Sequence, residues 1–159
     1  MIEMSYQSST FDPKRHKRFV PMNENKYVGK DYPVTRSSWE TRFCEWCDKN
    51  PSVVSWASES IQIPYHDPVS KKDRRYYPDF SMVVKDVDGK LKKWLVEIKP
   101  YKETIPPTVH GNKKDRTVMY EFCTYQTNVA KWKAAQIFCR KYGIEFKILT
   151  EKDLFKDGK

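Results

Sequence analysis

The stretch "YYPDFSMVVKDVDGKLKKWLVEIKP", from Tyr76 to Pro100, reads as two apolar strands joined near Asp88-Gly89, and each strand carries an acid, Asp79 and Glu97, where core is expected. The turn decides what those acids can do. A three-residue loop over Val87, Asp88 and Gly89, a type I turn followed by glycine in the left-handed region, pairs Asp86 with Lys90. Counting outward sets Asp79 directly opposite Glu97 on one face, and Lys99 joins them two residues further along. A two-residue loop at Asp88-Gly89 would shift the register by one and send the acids to opposite faces. Facing carboxylates on an apolar sheet repel one another and need a cation to stay ionised. Mg²⁺ suits them, because it takes oxygen ligands and is usually held by one or two carboxylates plus water and phosphate. Lys99 beside it could hold the attacking water or neutralise charge on the phosphate. Taken singly, Glu97 and Lys99 also read as a surface ion pair, and Asp79 as a residue of a Tyr-Pro-Asp turn.

The chain around this hairpin has 159 residues, about one domain's worth, and enough to bury a core. Thirty Lys and Arg against 21 Asp and Glu give a net charge of +9, which suits a polyanionic partner, nucleic acid first. No apolar run approaches the ~20 residues of a membrane span, and the N-terminus lacks the apolar stretch of a signal peptide, so a soluble intracellular protein with no membrane partner is expected. Cys44, Cys47, Cys123 and Cys139 lie in apolar patterns and read as reduced core residues. Cys44-x-x-Cys47 lacks a second close pair, so zinc is not expected, although a four-thiolate site is the alternative.

Residues 1–35 show no helical or strand period and carry Lys14, Arg15, Lys17 and Arg18, so they are expected to form an irregular basic arm ahead of a single domain over 36–159. The arm would hold DNA or a capsid partner. Alternatively it is a solvated tail, or it packs back on the sheet through Phe11, Phe19, Val20, Tyr27 and Tyr32. Trp39, Phe43, Trp46 and Cys47 mark one face of a helix closed by Pro51. Ile61, Ile63 and Tyr65 alternate in a strand ending near Pro64 to Pro68, and the basic run from Lys71 leads into the hairpin. After the 101–117 loop, Phe122, Tyr125, Val129, Trp132, Ala135, Cys139 and Tyr142 predict a long helix from about Val118, capped by Gly143, and "IEFKILT" predicts a last strand. The order is helix, three strands, helix, strand, a small α/β sandwich.

The combination of "PDF" at Pro78–Phe80 with "VEIK" at Val96–Lys99 resembles the PD-(D/E)XK nuclease superfamily, over Ser37 to about Thr150. The resemblance implies a restriction-endonuclease-like αβββαβ core with a mixed central sheet, Mg²⁺ (with Mn²⁺ as a substitute) and no small-molecule cofactor. It places Asp79 and Glu97 as metal ligands, Lys99 as the catalytic lysine and Glu40 of "SSWE" as a further catalytic acid. Ser37-x-x-Glu40 is equally a capping box. "SSWE", "RRYYPDF", "VEIKP" and "YQTNVAKWKAAQIFC" are similar to the TnsA endonuclease subunit of transposons and to the small head-completion nucleases of tailed phages. The chain stops soon after the core, at Lys159, which favours the second. That implies a DNA endonuclease acting on packaged or protruding ends, in the host cytoplasm or on the virion, with portal or connector proteins as further partners. A non-catalytic virion protein joining head and tail, and a TnsA-like or restriction-type enzyme, are the alternatives. Lys71, Lys72, Arg74 and Arg75 are candidate phosphate contacts, as is Lys131, which with Gln126 and Asn128 flanks the helix stripe and faces either the site or solvent.

Overall fold

A computed structural model describes residues 13–155. In chain order the elements are β1 (Lys17–Arg18), β2 (Val34–Thr35), α1 (Ser38–Lys49), β3 (Val53–Ser58), β4 (Ile63–Asp67), β5 (Lys72–Tyr76), β6 (Phe80–Lys85), β7 (Leu91–Ile98), α2 (Asp115–Tyr142), β8 (Glu145–Leu149) and α3 (Glu151–Leu154). The central sheet is mixed and four-stranded, ordered β3-β6-β7-β8. Its β3–β6 and β6–β7 pairs are antiparallel and β7–β8 is parallel. Parallel pairing requires a long crossover, and α2 supplies it. No helix among the described residues is long and apolar enough to cross a membrane.

The hairpin adopts the longer loop. Gly89 has φ +79° and its N–H donates to Asp86 O at 3.0 Å, while Asp86 N–H donates to Lys90 O at 2.9 Å. Phe80 accordingly pairs with Val96 and Lys85 with Leu91, the register that sets Asp79 across from Glu97. The alternation of β6 and β7 then divides the core. Phe80, Met82, Val84, Val96 and Ile98 pack with Phe43, Cys44 and Cys47 of α1 and with Trp56. On the other side Leu95 packs with Ile63, Tyr65, Tyr76, Trp132, Ala135 and Cys139. Cys139 thus lies in a different cluster from Cys44 and Cys47, with the sheet between them. The inner stripe of α1 is Phe43, Cys44 and Cys47; Trp46 lies outside it, 41% exposed, stacked on Phe43.

Two expectations change. The 53–67 segment is two strands, not one: Glu59 takes a left-handed φ of +46°, so β3 stays on the central sheet and β4 turns away to pair with β5. The basic run from Lys71, expected as a connection, supplies that β5 partner. Its residues are exposed except Tyr76, so it shows no apolar alternation. Helix α2 also begins a turn early, at Asp115, and ends as expected on Gly143 at φ +66°.

Part of the expected arm belongs to the packed body. Phe19 and Tyr27 meet Trp56 edge-on, at 6.0 and 4.8 Å between ring centroids, and Tyr32 packs against Tyr27 at 5.8 Å. Val20 stays exposed, and Phe11 lies outside the described residues. Buried Asp48 pins this segment to α1, accepting from the Met22 and Asn23 amides at 3.0 and 2.9 Å. Lys26 Nζ donates to the Asp48 and Asn50 carbonyls at 2.9 and 2.8 Å, where a helix C-terminus favours a cation. A chain shortened to begin at residue 36 would uncover Trp56 and strand the Asp48 carboxylate. It is expected to melt at least ~10 °C lower in a thermal scan, since losses of buried aromatics and of a buried charge's partners cost several kcal/mol. A change under ~3 °C would show that residues 1–35 contribute charge but little packing.

Candidate active site

Asp79 sits immediately before β6, where the paired strands bring it level with Glu97 near the end of β7. Its Oδ2 accepts the Ile98 N–H at 2.7 Å, and its own carbonyl accepts the Glu59 N–H at 2.9 Å. Both neighbouring strands therefore hold it. Glu97 is buried in the α2-facing side of β7, with Oε2 accepting the Tyr76 hydroxyl at 2.7 Å and Oε1 3.8 Å from Lys99 Nζ. Tyr76 arrives from the β4–β5 hairpin folded over that face.

Burial, and then the charge of Glu97, hold the Asp79 carboxyl well above the ordinary carboxylate range. Burial also raises Glu97, against the Tyr76 hydrogen bond and the charges of Lys99 and Lys131. Lys131 of α2 lies over the Tyr65 and Tyr76 rings, 5.9 and 5.6 Å from their centroids. Burial lowers its pKa while Glu97 opposes the shift. The residue expected beside the helix stripe thus belongs to the electrostatics of the acids. Gln126 is exposed, whereas Asn128 is buried.

Glu40 caps its helix. Its Oε2 accepts the Arg36 N–H at 3.0 Å, and Ser37 Oγ accepts the Glu40 N–H at 3.2 Å. Its charge nonetheless reaches Asp79, and Glu40 and Lys99 line one shallow pocket with Ile98 and Pro100. Lys71, Lys72 and Arg75 are exposed on the β4–β5 hairpin. Arg74 leans back toward Asp67 Oδ2 at 3.5 Å and Ser70 Oγ at 3.2 Å.

The site suits a hard divalent cation on its own chemistry. Two desolvated carboxylates, each pushed toward neutrality, stay ionised together only with concentrated positive charge between them. Among the described residues no three His, Cys, Asp or Glu side chains converge as a metal cage. Asp79 and Glu97 are the two acids placed to hold such an ion, with the rest of its shell left to water and phosphate.

The profile of the TnsA-like endonuclease N-terminal family matches residues 50–151. The chain belongs to the TnsA-like endonuclease family. It is also 43% identical over 141 residues to the head completion nuclease of Enterobacteria phage T4, a match covering 86% of this chain and 91% of that protein. The family match spans Asp79, Glu97, Lys99 and Lys131 and begins after Glu40. Membership makes the chain an endonuclease, a class that generally works with divalent metal, on the restriction-endonuclease-like fold described above.

Tyr76 as the partner of Glu97 was hidden in the sequence, because the bond exists only once β4 and β5 fold over β7. Asp67 was hidden as well. It is buried and accepts from Ser70 Oγ at 2.7 Å, Thr127 Oγ1 at 2.9 Å and the Val69 N–H at 3.1 Å. The bond from Ser70, foremost, lowers its pKa to about 2.

The raised carboxyls carry a stability signature. Groups whose folded pKa exceeds the unfolded value contribute stability at pH below the ordinary carboxylate range and lose it as pH rises through the folded values. Asp79→Asn keeps an acceptor for the Ile98 N–H and removes the charge. In metal-free buffer at pH 8 the variant is expected to melt a few degrees above wild type, and the gap should close toward pH 4. Equal melting temperatures at pH 8 would show that the facing carboxylates carry no such strain.

Proposed function

We propose that this member of the TnsA-like family is a Mg²⁺-dependent DNA endonuclease that trims packaged or protruding DNA ends when a phage head is finished. Mn²⁺ would substitute. The observation that carries the reading is the pair of carboxylates, half-buried Asp79 and buried Glu97, facing each other across β6 and β7 with Lys99 alongside. The relationship to a protein named for head completion supports the biological setting. A purely structural virion role would have no need of two mutually repelling acids in a desolvated site.

Phosphodiester hydrolysis adds water at phosphorus and breaks one P–O bond, so negative charge grows on the phosphate oxygens in the transition state. Bound Mg²⁺ would supply the Lewis acid and lower the pKa of the attacking water. The Ile98 amide holds Asp79, and the Tyr76 hydroxyl holds Glu97 by one oxygen, so neither ligand has to reorganise. Lys99, 3.8 Å from Glu97, is placed to orient the water or meet the developing charge. Lys131 adds a second cation from α2 and keeps the site poised for an anion. The exposed Lys71, Lys72 and Arg75 of the hairpin whose last strand precedes Asp79 form the approach for the backbone, and Arg74 contributes from its tether on Asp67. Portal or connector proteins would bring the enzyme to the filled head, in the host cytoplasm or on the virion.

Incubation of the pure protein with supercoiled and linear DNA, with and without Mg²⁺, tests the activity. Asp79→Asn, Glu97→Gln and Lys99→Ala are each expected to lower the cleavage rate by roughly 10³-fold with the fold retained by circular dichroism. Cleavage by all three at the wild-type rate would end this assignment. Lys72→Ala with Arg75→Ala should leave the metal requirement alone and flatten the log–log salt dependence of DNA binding by about 0.9 for each phosphate contact removed. An unchanged slope would place the DNA elsewhere.

A further inference from the structure

Beside the acids, between the segment after β7 and the first half of α2, lies a cleft of about 540 Å³. That is the size range of small-ligand sites. Its lining includes Lys102, His110, Tyr120, Tyr125 and Asn128. Asn128 is the informative residue. It is 94% buried, being 6% exposed, yet its side-chain amide makes no hydrogen bond among the described residues and borders the cleft. The amide is not sealed from solvent, and since Asn128 lines the cleft, its free donors and acceptor are open there to a ligand that carries both. Tyr120 stands at the same cleft 72% exposed, an aromatic ring with little protein to pack on. A flat heteroaromatic ligand satisfies both residues at once.

The location narrows the ligand further. Asn128 lies three residues before Lys131 on α2, roughly 4.5 Å along the helix axis, and Lys131 neighbours Glu97. Lys102 follows Lys99 by three residues on the other wall. Glu103 lines both this cleft and the pocket of Glu40 and Lys99, so a strand held at the acids would run on past the cleft. We propose that the cleft is a nucleobase pocket, taking one unpaired base of the strand being cut, with Asn128 pairing to the base edge and Tyr120 and Tyr125 offering ring faces. A base inside a duplex has its Watson–Crick edge occupied and must be unstacked first, at a cost that is least where it is already unpaired. The substrate class is therefore DNA with unpaired nucleotides at its end. This rests on the endonuclease reading and adds a specificity to it.

The test uses the full chain in EDTA, with binding read as fluorescence anisotropy on two labelled DNAs of one sequence. One is a blunt duplex, and the other ends in a few unpaired nucleotides. Wild type should bind the second about tenfold more tightly, the scale of one base stacked on an aromatic residue. Asn128→Leu, which keeps the branched shape and removes the amide, should bring that preference below about threefold, as the stacking faces alone remain. Tyr120→Ala, on an exposed side chain where folding is not at risk, should also reduce it. Equal affinity of wild type for the two DNAs, or an undiminished preference in both variants, overturns the pocket. So does a free deoxynucleoside monophosphate that binds as tightly as the extended DNA, because the cleft then serves free nucleotides. Mg²⁺-dependent cutting measured in parallel keeps the two ideas apart. Cutting without any preference leaves the nuclease and removes the pocket, whereas a preference abolished in the variants without any cutting keeps the pocket and removes the nuclease.

Discussion

Everything at the site depends on how one turn closes. Asp86 Oδ1 accepts from the amides of Asp88 and Lys90, each at 2.9 Å, so the side chain templates the backbone that follows it, and Gly89 supplies the left-handed step that other residues take only under strain. With that turn fixed, the register of β6 on β7 is fixed to the residue. A slip of one would carry Glu97 to the opposite face and put a carboxylate among Phe43, Cys44 and Phe80. The apolar residues of both strands therefore police the same register that brings the acids together. Packing and chemistry impose one constraint.

The site also draws on elements remote in sequence. Asp79 is backed by Glu59, whose left-handed backbone ends β3 and whose carboxylate pairs with Arg36 Nη1 at 2.9 Å, just ahead of α1. Glu97 is backed by Tyr76 from a separate two-stranded sheet. Lys131 comes from the crossover helix. Each support crosses a different tertiary contact, so a site of few residues samples nearly every layer of the fold.

Much of this was legible because it is local. The Asp79–Glu97 pairing follows from a hairpin whose turn residues are adjacent in sequence, and the end of α2 follows from Gly143. What was not legible depends on distant partners. The break at Glu59 rests on the Asp79 carbonyl, and nothing near Glu59 in sequence marks it. Strand β5 is nearly all charge, and becomes a strand only because β4 offers it an edge. Phe19 and Tyr27 carry no period because they fill gaps around Trp56 and do not lie along a regular face. Asn128 flanks an apolar stripe, a position that the sequence leaves open to the site or to solvent, and the structure buries it.

Asp67 gives the molecule a division of labour with respect to acidity. One ionised side chain ties the turn after β4 to Thr127 on α2, and its pKa of about 2 keeps that tie charged wherever the protein would work. The carboxylates of the site are displaced in the other direction. Acidification therefore reaches Asp79 and Glu97 first, while the basic hairpin and the helix behind it stay joined through a carboxylate that is still ionised.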